Sequence, residues 1–153
     1  ALVKLQAPIQ GRMTAAEDLH LTLVFLGAMP AASLPALQAL MAKLPAAAMT
    51  LNLDCPGYFA RKAISWVGMQ SPPDGLAALR HALLGALAQQ NIIVDQGARF
   101  KPHITLARDA AATAAAPDMT PILWRADHIA LVQSVATDAP PRYRLLASRR
   151  LAS

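Results

Sequence analysis

A duplicated, two-lobed α+β fold is what this sequence predicts, and three observations carry the prediction. The tetrapeptide His20-Leu21-Thr22-Leu23 returns almost unchanged as His103-Ile104-Thr105-Leu106 in a chain that has only four histidines. The elements run strand, helix, strand, strand up to about residue 70, then helix and further strands, so that one motif falls in each half. Apolar residues make up 55% of the 153 positions, enough for a shared core, and no composition shift or flexible linker marks independent units. The expectation is a single domain over residues 1–153, with lobes of approximately 1–70 and 71–153.

Residues 1–6 read as the end of a helix, and the row opens without an initiator Met, so an upstream segment is expected. Residues 19–26 and 100–106 form alternating or continuous apolar runs rich in branched and aromatic residues, the pattern of buried strands. Ser33 before Leu34-Pro35 starts a helix in which Leu34, Leu37, Leu40, Met41 and Leu44 recur at helical spacing until Pro45 stops it. Residues 50–54 and 63–68 read as strands, joined through a Pro56-Gly57 turn and the segment 58–62. Ser71-Pro72-Pro73-Asp74 opens a second helix, with Leu76, Leu79, Leu83, Leu84 and Leu87 along one stripe to about Gln90. Strand signals follow at 92–95, 99–106, 128–137 and 143–148, with an Ala-rich loop at 110–117 that reads as mobile rather than catalytic.

Fourteen basic against nine acidic residues give a net charge of +5, which favours anionic partners such as nucleic acid or nucleotides. Arginines are dense only at 142–150, where they also fit the polar face of a last strand. The single Cys55 cannot form an internal disulfide, which suits a reducing cytoplasm; its ordinary reading is a small buried apolar residue. No apolar stretch approaches the ~20 residues of a membrane span, so a soluble, cytoplasmic protein with no membrane partner is expected.

On a strand, successive side chains point to opposite faces, so His and Thr at i and i+2 share one face about 7 Å apart. Strands carrying the two motifs side by side across a groove would confront His20 with His103, flanked by the hydroxyls of Thr22 and Thr105. A zinc centre needs three or four converging ligands, and neither His-x-His, His-Glu-x-x-His nor Cys-x-x-Cys occurs. Gly-x-Ser-x-Gly and the phosphate-loop pattern are likewise missing. What remains is an imidazole pair in which one member is neutral and the other protonated near neutral pH, a metal-independent acid–base couple that needs no cofactor. Thr22 and Thr105 would donate to nonbridging phosphate oxygens as charge builds at phosphorus. His81 and His128 lack the following Thr and read as surface or packing residues.

These motifs resemble the two-histidine (2H) phosphoesterase superfamily, and the surrounding residues resemble its bacterial RNA 2′,3′-cyclic phosphodiesterase branch, also called 2′-5′ RNA ligase. The residues that carry the resemblance are Asp18-Leu19-His20-Leu21-Thr22-Leu23-Val24-Phe25-Leu26-Gly27, then Ile64-Ser65-Trp66-Val67-Gly68, then Phe100-Lys101-Pro102-His103-Ile104-Thr105-Leu106-Ala107-Arg108. The resemblance implies two pseudo-symmetric lobes of antiparallel sheet with helices outside, and a central cleft that takes one His-x-Thr strand from each lobe. Relative to that family the opening strand and most of the first helix have no counterpart, which puts one sheet edge in doubt.

The resemblance also implies roles. His20 and His103 match the catalytic pair, Thr22 and Thr105 the phosphate-binding hydroxyls, and Arg108 a cation after the second motif, although a solvated arginine beside Asp109 fits as well. Phe59 and Arg61 match a segment near the substrate, where an aromatic face could stack a base and a guanidinium meet the RNA backbone; core packing fits Phe59 equally. Phe25, three places after Thr22 on a regular strand, belongs to the core. The implied activity is hydrolysis of a 2′,3′-cyclic phosphate on RNA ends or nucleotides to a 2′-phosphomonoester by a monomer, with 2′-5′ ligation a minor outcome. The alternative is a module that binds nucleotides in the same cleft without turning them over. Which histidine acts as acid is open, because a pseudo-symmetric site could accept the ester in either direction.

Overall fold

Helical periodicity and proline placement produce helices where they were expected. The computed structural model describes residues 1–95, 99–112, 119–137 and 139–152. A short helix α1 (Leu2–Gln6) is followed by α2 (Leu34–Lys43), whose Pro35 sits in the first turn, where its missing N–H costs nothing. The third helix, α3 (Asp74–Gln89), begins directly after Pro73 with Asp74 at its positive end. Leu37, Leu40, Met41 and Leu44 from the α2 stretch pack with Leu79 and Leu87 of α3 and with Ile129 and Leu151, forming one apolar cluster.

Among the described residues, eight strands make three antiparallel sheets. The largest orders β1 (Arg12–Met13), β5 (His103–Arg108), β4 (Ile64–Gly68) and β3 (Cys55–Phe59) in the sequence β1-β5-β4-β3. Two pairs complete the set, β2 (Met49–Leu53) with β6 (Ile122–Ala126), and β7 (His128–Ser134) with β8 (Tyr143–Arg150). Strands from before and after residue 70 share two of the three sheets, so the two halves interlock. A second apolar cluster of Leu51, Leu53, Val67, Met69, Leu76, Ile104 and Leu106 lies under the large sheet.

Several elements depart from the sequence reading, each for a physical reason. Pro56 and Gly57 lie inside β3 rather than in a turn. The strand is an edge, where a proline removes no needed ladder bond, and Gly57 faces the Trp66 ring so closely that a Cβ would sit 2.0 Å from its Cζ2. The chain reverses instead in a 3-10 turn at Ala60–Lys62, closed by Ala63 in the left-handed region. The short β1 and the whole of β6 were not anticipated, and residues 92–95 form no strand. The second motif strand starts only at His103, after Pro102. Cys55 is half-buried rather than enclosed. Residues 113–117 of the expected Ala-rich loop lie outside the described residues.

The stretch 19–26 is also not a strand. It touches the large sheet through one antiparallel bridge, Leu21 to Ile104, and an apolar hollow of about 630 Å³ opens on its other side toward α2, α3 and β7. With a neighbour on one side only, no ladder holds it regular. Among the described residues, no helix is long and apolar enough to cross a membrane.

Candidate active site

Strict alternation on β5 sets up the site. Ile104 and Leu106 are buried in the core, which turns His103 and Thr105 to the opposite face. The antiparallel bridge from Leu21 to Ile104 does the same for the first motif: Leu21 packs on that core, and His20 and Thr22 emerge beside the second pair. The register of that bridge sets His20 across from Thr105 and Thr22 across from His103, so the two histidines are diagonal neighbours, a relation that spans roughly 7–8 Å. All four side chains line one cleft of about 330 Å³. A tetrahedral anion fits between two imidazoles at that separation.

Both imidazoles are held alike. His20 Nδ1 lies 2.6 Å from the carbonyl oxygen of Asp18, and His103 Nδ1 lies 2.7 Å from that of Lys101, in each case two residues back. A carbonyl only accepts, so each Nδ1 carries the proton and each Nε2 is the atom free to exchange one. An aromatic edge confines each ring. Tyr143 meets His20 at a centroid distance of 4.7 Å and 73°, and Phe59 meets His103 at 5.1 Å and 84°. Behind Phe59, Trp66 packs at 5.1 Å, and the Lys101 ammonium sits 4.2 Å above the indole. Gly68, opposite His103 in the ladder, leaves room for the Trp66 ring and the Pro102 carbonyl, which a Cβ there would approach to 3.2 and 2.9 Å.

Charge around the cleft is mostly positive. Arg12, Lys62, Arg108 and Arg142 line it, with Arg12 held by Asp109 at 3.1 Å. Asp18 is the buried exception: both carboxylate oxygens accept from the backbone N–H of Arg142, at 2.9 and 3.0 Å. One residue thus orients His20 through its carbonyl and fastens the chain before Tyr143 through its side chain.

Of the residues singled out in the sequence, His20, His103, Thr22, Thr105, Arg108 and Phe59 come together in the cleft, and Arg61 does not line it. The 3-10 turn sends Arg61 outward and brings Lys62 in. Phe25 is corrected outright. It is 74% exposed at the cleft, because the irregular 19–26 stretch does not keep the two-residue alternation that would have buried it. Tyr143, Arg142, Arg12 and Asp18 were missed; Asp18 immediately before Leu19-His20 was the one local signal. His81 and His128 are exposed and outside the cleft. His128 pairs with Asp127 at 2.7 Å, and this hydrogen bond holds the Asp127 carboxyl below its ordinary range. Among the described residues no three His, Cys, Asp or Glu side chains converge on a point.

The 2′-5′ RNA ligase superfamily matches residues 6–138. The RNA 2′,3′-cyclic phosphodiesterase of Escherichia coli (strain K12) is 39% identical over 110 residues, 72% of this chain and 62% of its own length. The chain therefore spans less than two thirds of that relative. The RNA 2′,3′-cyclic phosphodiesterase of Thermus thermophilus is 36% identical over 144 residues, covering 84% of this chain and 70% of the relative. Among solved structures, E. coli LigT complexed with 3′-AMP superimposes with a TM-score of 0.82 at 32% identity, over 99% of this chain and 90% of that one.

Proposed function

This chain belongs to the 2′-5′ RNA ligase superfamily, and from that premise we propose that it hydrolyses 2′,3′-cyclic phosphates on RNA ends or nucleotides to 2′-phosphomonoesters. The observation that carries the proposal is the matched pair of imidazoles, each with Nδ1 tied to a carbonyl and both lining one cleft. The Nε2 of one histidine takes a proton from water as the water oxygen attacks phosphorus. The bond from phosphorus to the ribose 3′ oxygen breaks, and the protonated partner histidine delivers its proton to that oxygen. A 2′-phosphate and a free 3′-hydroxyl result.

Thr22 and Thr105 donate to the nonbridging oxygens, and Arg108 adds a charge-assisted donor as negative charge grows on them. The exposed Phe25 ring offers a face on which a base can stack, and the cationic rim attracts the phosphates that precede it. A ribose 5′-hydroxyl in place of water would give 2′-5′ joining, a minor outcome against ~55 M water. Both histidines and both threonines of the cleft come from one chain, which supports a monomer. The lone half-buried Cys55 suits work in the cytoplasm.

A panel of nucleoside and oligoribonucleotide 2′,3′-cyclic phosphates, assayed with excess chelator, tests the proposal. Hydrolysis to the 2′-phosphate is expected, with turnover reduced at least ~10²-fold in His20→Ala and in His103→Ala while circular dichroism is unchanged. Calorimetric binding of a nucleoside 2′-phosphate with no turnover of any cyclic ester would instead favour a binding module.

A further inference from the structure

The antiparallel bridge between Leu21 and Ile104 makes the centre of the cleft two-fold symmetric to a close approximation. His20 corresponds to His103, Thr22 to Thr105, and the Asp18 carbonyl to that of Lys101. The confining rings correspond too: Tyr143, from the second half of the chain, edges the first-half histidine, and Phe59, from the first half, edges the second-half histidine. A cyclic phosphate entering such a site can lie in two directions. In one direction the bond to the 3′ oxygen is in line for cleavage, in the other the bond to the 2′ oxygen.

Something at the reacting atoms must distinguish the two directions if a single monoester is made. Phe25 and Arg108, the residues five places after each histidine, differ in kind, but Phe25 meets a base and Arg108 donates to the nonbridging oxygens, so neither bonds the water or the ribose oxygen in line with phosphorus. The side chains of Asp18 and Lys101 differ in charge, yet the first is bonded to the Arg142 N–H and the second lies over the Trp66 ring. Against the imidazoles themselves two groups differ: the Trp66 indole, 5.9 Å from the His103 ring and buried with its N–H, and the phenol hydroxyl of Tyr143, which has no hydrogen-bond partner among the described residues and lies at the cleft.

Resting on the hydrolytic reading above, we propose that Tyr143 is the specificity-determining residue of this cleft, its hydroxyl bonding the oxygen that stands at His20 and so fixing which phosphorus–oxygen bond opens. Whether water or the departing ribose oxygen occupies that place, no described residue sets an equivalent hydroxyl at His103, since Phe59 has none and the Trp66 N–H is buried. The double acceptor of Asp18 holds residue 142, and with it the start of β8, so the phenol meets His20 edge-on.

The test reads the ratio of 2′- to 3′-phosphomonoester formed from one nucleoside 2′,3′-cyclic phosphate. The wild-type chain should make one isomer. Tyr143→Phe makes the two confining rings alike, and its product ratio should move toward a mixture by roughly 3–10-fold, the effect of one neutral hydrogen bond, with total hydrolysis falling by no more than that factor. The exchange variant Tyr143→Phe with Phe59→Tyr should move the ratio further, toward the other isomer. An unchanged ratio in Tyr143→Phe, at retained turnover and an unchanged unfolding temperature, overturns the inference while leaving the hydrolytic function standing. A ratio in the exchange variant no different from that in Tyr143→Phe also overturns it, since the relocated hydroxyl would then have no directing effect. No hydrolysis by the wild-type chain brings down the function and the inference with it, and is told apart from the other outcomes by that control.

Discussion

Adding one methyl group at position 57 should disturb catalysis from behind. A Cβ on Gly57 would lie 2.0, 2.3 and 2.5 Å from three atoms of the Trp66 ring, where ordinary carbon contacts need ~3.5–4.0 Å. Relief requires a shift of about 1–1.5 Å, and the indole has little space for it. It is 4% exposed, Gly68 already approaches it from the other side, and Phe59 and Lys101 cover it. Overpacking of this kind costs ~1–3 kcal/mol. In a chain of this size that is roughly 2–4 °C in Tm for each kcal/mol. Phe59 and Trp66 stand 5.1 and 5.9 Å from the His103 ring, so a displaced indole moves a reacting group, and a misplacement near 1 Å can cost ~10²-fold in turnover. Gly57→Ala should therefore lower both Tm in a calorimetric scan and kcat on a cyclic phosphate, with His20 chemistry otherwise intact. A variant with unchanged Tm and full kcat would show that Trp66 does not brace the site.

Other expectations concern single groups. Thr22→Val and Thr105→Val each remove one donor to a charged phosphate oxygen, ~1.5–3 kcal/mol, and should lower kcat/KM by about 10- to 150-fold while Val keeps the backbone extended; steady-state kinetics checks this. Asp18→Ala leaves the part-buried Arg142 N–H without its acceptor and should cost ~1–3 kcal/mol in urea unfolding, with Asp18→Asn, which keeps one acceptor oxygen, recovering most of it. Asp127 should titrate below the ordinary carboxylate value of ~3.9, chiefly through its bond from His128, and His128→Ala should raise its NMR midpoint. Because folding favours the ionised form, the small contribution is present above the unfolded value and fades as pH falls through the folded one; this carboxyl is exposed, so the effect on stability is slight.

The parts legible in the sequence are those governed by local period. Leu37, Leu40 and Met41 on α2 and Leu76, Leu79 and Leu87 on α3 are buried as their spacing implied, and the alternation from His103 to Leu106 turned the motif outward as a strand should. Misreadings arose where neighbours override local signals. Pro56-Gly57 has the composition of a turn, yet at an edge the proline is harmless and the glycine makes room for Trp66, a fact visible only once β3 and β4 pair. Residues 19–26 have the composition of a strand but only one bridge, and Phe25 is exposed as a result. Tyr143 and Arg142 reach the cleft through contacts with residues more than a hundred positions earlier, which no local pattern encodes.

Two-histidine catalysis in this cleft requires both imidazoles to share one anion. Nitrogen-15 NMR of the histidine rings during titration with inorganic phosphate tests this directly: the Nε2 resonances of residues 20 and 103 should shift together along one binding curve, while the surface imidazoles of His81 and His128 stay still. Movement of only one of the two, or two curves with different dissociation constants, would contradict it.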